Sequence, residues 1–318
     1  MGYYSSASAI PIVTMGEEIS AIRGVRTSAW SSKCDEVRQA LEEYGCFIVE
    51  NDKIPADFGT KIISASEDLF NLPVETKKKN NYAAQLLPGY VGQHAQFPLY
   101  EAMRIPGTTL DAMQHVTDLM WPDQGNVDFC ESIYSLSSSL EEISLLVARM
   151  VFESYNVSEL FEACQEQTSH VIRMMKYKVP DSDETPLGLV PHVDGNFITV
   201  LYQSQTNGLE VETKSGEWVT ADLSPSSFVF MAGEGLMAWS NGRINAARHK
   251  VNMANTVKTR YSFGIFTSIR WTETPKELVD EDHPLQFNSY NHDEYMRMRE
   301  FSVKGLGAFT LKNYCGVN

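Results

Sequence analysis

GLEVETKSGEWVTA, residues 208–221, reads as two strand-length runs folded back on each other, with Lys214-Ser215-Gly216 as the hairpin turn between them. The same texture continues outward. FITVLYQ (197–203), SFVFMA (227–232), MAWSN (237–241), HKVNM (249–253) and RYSFGIF (260–266) are each strand-length and bounded by turns. Many short strands at close spacing, from about Val171 to Ser268, predict an antiparallel barrel or jelly roll.

N-terminal to this block the hydrophobic period changes. KCDEVRQALEEYG (33–45) puts Val37, Ala40, Leu41 and Tyr44 on one helical face and ends at Gly45. CFIVEN (46–51) reads as a buried strand, and DFGTKIISASEDLFNLP (57–73) as a second amphipathic helix stopped by Pro73. VDFCESIYSLSSSLEEISLLVARMVFESYN (127–156) predicts one long helix or a helix pair, and Tyr290 to Glu300 a further helix. The expected fold is therefore α+β. A mainly helical lobe (1–165) precedes a double-stranded β-helix, or jelly-roll, core (166–275), and a helical extension (276–318) closes the chain, without a sharp border between them.

With 318 residues and 43% hydrophobic composition the chain can bury a large core. It carries 41 acidic against 26 basic residues, a net charge of −15, which disfavours nucleic acid as a partner. The five cysteines are scattered, odd in number and free of any CxxC pair, so a reducing cytoplasm is expected rather than a disulfide framework. No apolar run approaches the ~20 residues that span a bilayer, so no membrane partner is expected. Gly2 with Ser6 loosely fits a myristoylation pattern, but no basic patch follows as a second anchor. A soluble monomer is the expectation.

Chemistry concentrates in PHVDGNF (191–197). His192 and Asp194 lie two apart before a predicted strand, so an imidazole and a carboxylate can converge on one ion. A third ligand must come from elsewhere, and His249 in ARHKV is the candidate, 55 positions after Asp194 on another predicted strand. Two histidines and one carboxylate leave the remaining metal positions open, a set that suits non-haem Fe(II) binding a cosubstrate and O2 together. Eleven positions after His249 come Arg260 and Ser262, which share a strand face. A guanidinium fork and a hydroxyl make a clamp for a carboxylate, and an Arg in the apolar run YSFGIFT needs an anionic partner that its neighbours do not supply.

The spacing HxD, 54 residues, H, 10 residues, RxS resembles the plant 2-oxoglutarate- and Fe(II)-dependent dioxygenases, which share the isopenicillin-N-synthase-like fold. ALEEYGCFIVEN (40–51), LFNLPVETK (69–77), SPSSFVFMAGEGLMAWSNGR (224–243) and RYSFGIFT (260–267) all have familiar counterparts there. PKELVDEDHPLQFNSYNHDEY (275–295) and AFTLKNYCGV (308–317) are most similar to the AOP-type branch. The resemblance implies that His192, Asp194 and His249 hold Fe(II) and that Arg260 and Ser262 bind the distal carboxylate of 2-oxoglutarate. Tyr177 stands where a family tyrosine reaches the same carboxylate, but Met175 replaces the asparagine common two positions before it. The implied reaction consumes O2, releases succinate and CO2, and oxidises a small specialised metabolite, with ascorbate as reductant. Hydroxylation leads; O- or N-demethylation, desaturation and ring closure are alternatives, and an intact Asp194 argues against halogenation. A non-catalytic metabolite-binding module and a protein hydroxylase rank below these.

On the substrate side Phe266 leads, on the face of Arg260 and at a family position that lines the pocket. Phe197, Tyr90, Phe97, Tyr100 and Met103 follow, each of them equally readable as core. Lys77-Lys78-Lys79 reads as a solvated helix end, His283 and His292 as surface residues, and His94, His115 and His170 have no partner at ligand spacing.

Overall fold

The computed structural model describes residues 10–16, 27–50, 57–81, 88–92, 97–203, 206–304 and 309–317, the side chains of 300–304 excepted. His94 and the Gly2 pattern lie outside the described residues.

Helix α1 (Ser28–Tyr44) starts where the Thr27 hydroxyl accepts from the Trp30 N–H at 3.1 Å. It stops at Gly45, whose φ of 69° is left-handed and whose N–H bonds the Leu41 carbonyl. A Cβ there would lie 2.5 Å from the Asn245 carbonyl oxygen, so glycine is required on both counts. Three strands follow or flank it: β1 (Ile12–Thr14), β2 (Cys46–Glu50) and, after helices α2 (Phe58–Phe70) and α3 (Val74–Lys77), β3 (Tyr90–Val91). Strand β4 (Tyr100–Pro106) and helix α4 (Leu110–Met120) lead to α5 (Val127–Ser154), one continuous helix of 28 residues. Its end is fixed by Asn156 at φ 58°.

After helix α6 (Phe161–Glu166) the chain turns to strands β5 (Thr168–Tyr177), β6 (Leu187–His192), β7 (Ile198–Gln203), β8 (Leu209–Glu212), β9 (Trp218–Thr220) and β10 (Ser227–Ala232). Helix α7 (Glu234–Trp239), strands β11 (His249–Asn252) and β12 (Arg260–Ile269) and helices α8 (His292–Lys304) and α9 (Leu311–Cys315) complete the fold. The strands form two sheets, one of eight in the order β1-β2-β10-β7-β12-β5-β4-β3 and one of four in the order β6-β11-β8-β9. The small sheet is antiparallel throughout, and in the large one the parallel β1–β2 pair is the exception. The result is an α+β jelly roll.

Two apolar layers hold it together. Trp30, Leu41, Phe129, Leu140 and Val147 pack the helices against the outer face of the large sheet through Phe47, Phe230 and Phe263. Val229, Leu201, Leu209 and Val251 fill the space between the sheets. Alternation along β12 explains the split: Phe263 and Ile265 face the helices, while Arg260 and Ser262 face inward.

Three expectations are corrected. MAWSN is not a strand; it lies mostly in α7, because a short apolar run carries no period and Leu236, Ala238 and Trp239 are buried on all sides of one enclosed turn. Lys77 is not solvated. Its ammonium is buried, bonded to the Phe70 carbonyl at 2.8 Å and to the Glu101 carboxylate, and it lies 5.4 Å from the Tyr90 ring centre. His292 is buried at the start of α8, 6.5 Å from the Tyr290 ring, not on the surface. Among the described residues no helix is long and apolar enough to cross a membrane, and all five cysteines are free and buried.

Candidate active site

β6 ends at His192 and β11 begins at His249, and these two residues are register partners. Their ring centres stand 4.2 Å apart. In each ring Nδ1 meets a main-chain carbonyl two residues earlier, Val190 at 2.8 Å and Ala247 at 3.0 Å. A carbonyl only accepts, so Nδ1 carries the proton and Nε2 keeps its lone pair. Both Nε2 atoms turn toward Asp194, 3.7 Å from its Oδ1 and 3.9 Å from its Oδ2. One donor atom from each of the three lies within 4.8 Å of the others, and no second such cluster occurs among the described residues.

Asp194 is held from two sides. The Thr199 hydroxyl donates to its Oδ2 at 2.7 Å, and the Glu234 N–H donates to its main-chain carbonyl at 2.8 Å. The loop passes so close to α7 that a Cβ on Gly233 would lie 2.1 Å from the Asn196 carbonyl oxygen. Burial and the neighbouring His249 push the His192 imidazole down to about 3, so it is neutral at physiological pH. Burial pushes the Asp194 carboxyl up, but His249, His192, the Thr199 bond and Arg173 outweigh it and hold the group below the usual carboxylate range. A neutral His192 imidazole, the His249 Nε2 beside it and one ionised carboxylate are the donor set that a divalent cation requires. The donor set and its one-sided placement fit Fe(II) with open positions for a chelating cosubstrate.

The clamp lies on the facing sheet. Arg260 is 1% exposed, and burial pushes its guanidinium below the usual range. Its register partner on β5 is Tyr177, and Cζ of Arg260 sits 5.0 Å from that ring's centre. Burial pushes the Tyr177 hydroxyl up. No carboxylate comes within 4.0 Å of Arg260 among the described residues; neutral groups hold it instead. Gln203 Oε1 accepts from Nη2 at 2.8 Å and from Nε at 3.3 Å, and the Ser262 hydroxyl accepts from Nη1 at 3.2 Å. The guanidinium is thus oriented without being neutralised, the arrangement of a site for an external carboxylate.

His192, Asp194, His249, Arg260, Ser262, Tyr177 and Phe266 line one cavity between the sheets. The other substrate candidates are dispersed. Tyr90 and Met103 are register partners on the helix side of the large sheet, where Met103 is fully buried and Tyr90 donates to Glu101 at 2.7 Å. Phe197 packs 6.1 Å from the Trp239 ring in the helical core. Tyr100 packs against Tyr177, ring centres 5.3 Å apart, at the Arg260 end, and Phe97 packs with the inter-sheet core. Strand parity separates them: Tyr100 and Ala102 face inward, so Met103 cannot.

Sequence reasoning missed Thr199, Gln203 and Arg173. All six β7 residues are buried, so the polar Thr199 and Gln203 in FITVLYQ sit on the inward face with Leu201 and needed partners there. Arg173 is two and four residues before Met175 and Tyr177 on the inward face of β5. Its oddity, a cation inside VIRMMKY, was available in the sequence.

Comparison with known proteins bears on this geometry. Residues 168–269 match the 2OG-Fe(II) oxygenase superfamily, and residues 10–100 match the N-terminal region of non-haem dioxygenases described from morphine synthesis. A probable 2-oxoglutarate-dependent dioxygenase, AOP1, of Arabidopsis thaliana is 37% identical over 279 residues, 85% of this chain and 90% of that protein. A rice dioxygenase for auxin oxidation superposes with a TM-score of 0.76 at 26% identity, covering 92% of this chain and 96% of that one. Its Arabidopsis counterpart, solved with 2-oxoglutarate, superposes at 0.75 with 25% identity, covering 86% and 99%.

Proposed function

This chain belongs to the 2-oxoglutarate- and Fe(II)-dependent oxygenase superfamily and is a dioxygenase of that family, and from that premise we propose that it hydroxylates a small specialised metabolite. Iron and 2-oxoglutarate, when bound, supply O2 activation coupled to decarboxylation of the cosubstrate to succinate and CO2.

The chain's own residues do the positioning. His192, Asp194 and His249 would hold the metal through two nitrogens and one oxygen on a single side, each ligand oriented by a hydrogen bond from behind. Arg260 and Ser262 would take the distal carboxylate, with Tyr177 beside them. Phe266, on the inward face of β12 beyond Gly264, would line the substrate side, where the enclosing sheets keep water from the reacting centre. Relatives named for auxin oxidation support a small-molecule substrate. Five free, buried cysteines support a reducing cytoplasm, and the protein is taken to act there as a monomer.

The observation that carries this reading is a cluster of three ligand atoms within 4.8 Å, facing a buried arginine that no acid among the described residues neutralises. The test is untargeted. The protein is given Fe(II), ascorbate, 2-oxoglutarate and a small-metabolite extract, and mass spectrometry follows both succinate and metabolites that gain one oxygen. Metal- and cosubstrate-dependent succinate with an oxygenated product is expected. Succinate with a product short of two hydrogens or one methylene would replace hydroxylation by desaturation or demethylation.

A further inference from the structure

Arg173 is a second cation on the cavity wall, separate from the clamp. On the β5–β12 ladder, Tyr177 faces Arg260, Met175 faces Ser262, and Arg173 faces Gly264. Arg173 therefore starts about 13 Å along the strand from the clamp, at ~3.3 Å per residue. Its guanidinium carbon lies 4.5 Å from the centre of the Phe266 ring. The Nε atom is buried and has no hydrogen-bond partner, and no carboxylate lies within 4.0 Å of the group among the described residues. On the neighbouring strand its register partner is Arg104, so no carboxylate faces Arg173 from that position.

Resting on the function proposed above, we infer that Arg173 is the anchor for a negatively charged group of the substrate, so that the natural substrate is a small organic anion, of which a monocarboxylate is the simplest case. Charge balance leads there. The two positive charges of the metal and the one of Arg260 are matched by the two carboxylates of 2-oxoglutarate and by Asp194. The charge of Arg173, half-buried on the cavity wall, is left over there, with a buried Nε that lacks a partner. The Phe266 ring packs against the guanidinium at 4.5 Å, and the planar fork of an arginine suits a two-point carboxylate contact. Gly264 opposite adds no side chain, and the Leu201 side chain fills that space, its Cδ2 lying 2.5 Å from where a Cβ would fall, so Leu201 and Phe266 wall this level of the cavity.

The test uses the full chain loaded with Zn(II) and 2-oxoglutarate, which binds without turnover. Saturation-transfer NMR ranks a panel of aryl- and alkyl-acetates, each against its own primary amide, phenylacetate against phenylacetamide among them. In the unaltered protein at least one acid should outbind its amide by tenfold or more. Arg173→Met should bring that ratio to about one, and Arg173→Lys should keep part of it. Metal-dependent 2-oxoglutarate binding, measured on the same samples, should persist in both variants. The inference is overturned if no acid outbinds its amide, if the preference survives Arg173→Met, or if that variant loses 2-oxoglutarate instead, since Arg173 would then serve the cosubstrate. Absence of metal-dependent 2-oxoglutarate binding in the unaltered chain is a distinct result and would overturn the oxygenase reading with it.

Discussion

The Arg299 guanidinium donates a hydrogen bond to the Val193 carbonyl, so a side chain from α8 holds the peptide between His192 and Asp194. The same guanidinium donates to Glu234, a carboxylate 2% exposed, and to the Tyr295 hydroxyl at 2.9 Å. Glu234 in turn accepts from Tyr295 and from the Leu311 N–H at 2.9 Å. Arg299, Glu234 and Tyr295 thus tie the C-terminal helices to the loop that carries two metal-ligand candidates. Arg299→Met should weaken metal binding about 10- to 100-fold, the usual effect of losing a group that orients a ligand, and lower stability by about 2 kcal/mol through lost bonds to a buried carboxylate. Competition for Zn(II) against a chelator reads the first effect, and urea unfolding the second. Unchanged affinity would make the network purely structural.

His192→Ala and Asp194→Ala should each abolish iron binding and 2-oxoglutarate-dependent succinate release while the fold survives. Thr199→Val, which removes the 2.7 Å bond to Asp194, should fall between these variants and the unaltered chain. Iron content after dialysis and far-ultraviolet circular dichroism check the series. Full iron occupancy in either alanine variant would remove that residue from the ligand set.

Arg260→Ala should raise the KM for 2-oxoglutarate at least about 10-fold, the loss of a charge-assisted pair. Gln203→Leu should raise it less and leave kcat alone, because Gln203 orients the fork and touches no reacting atom. Its own amide donates to the Ala221 carbonyl at 3.1 Å and to Asn207 at 3.0 Å, so the oxygen is fixed before any cosubstrate arrives. Steady-state kinetics with varied 2-oxoglutarate separates KM from kcat. A kcat effect from Gln203→Leu would place it nearer the chemistry than the geometry does.

What could be read from sequence follows a physical division. His192, His249, Arg260 and Ser262 sit on strands, where a period of two converts spacing into a shared face, and Asp194 follows two residues after the end of β6, so their meeting in one cavity followed from spacing plus family resemblance. The same parity would have removed Met103 from the substrate side had β4 been placed in the large sheet, but helices α4, α5 and α6 separate it in the chain from its partner β5. Lys77 was illegible because its partner Glu101 lies 24 residues away on that strand. Arg299 was illegible for the same reason at 106 residues. Long-range polar pairing leaves no period in the chain, whereas apolar faces do.

His292 gives the pH dependence of the C-terminal packing. Burial, reinforced by Arg270 and opposed by Asp293, holds its imidazole below the ordinary histidine range, and its buried Nδ1 has no hydrogen-bond partner. A depressed folded-state pKa means that the unfolded chain takes up the proton first as pH falls below about 6.5. Its contribution is therefore present at neutral pH and is lost as the solution is acidified. With metal chelated throughout, Tm should fall from pH 7.5 to pH 5.5, and by less in His292→Leu than in the unaltered chain. Hydrogen exchange should place the difference in α8 and α9, since His292 opens the first of these helices and Tyr290 beside it packs with Tyr295 and Tyr314 of both. Identical pH slopes in the two proteins would assign the acid sensitivity to His170 and His192, whose imidazoles burial also holds down.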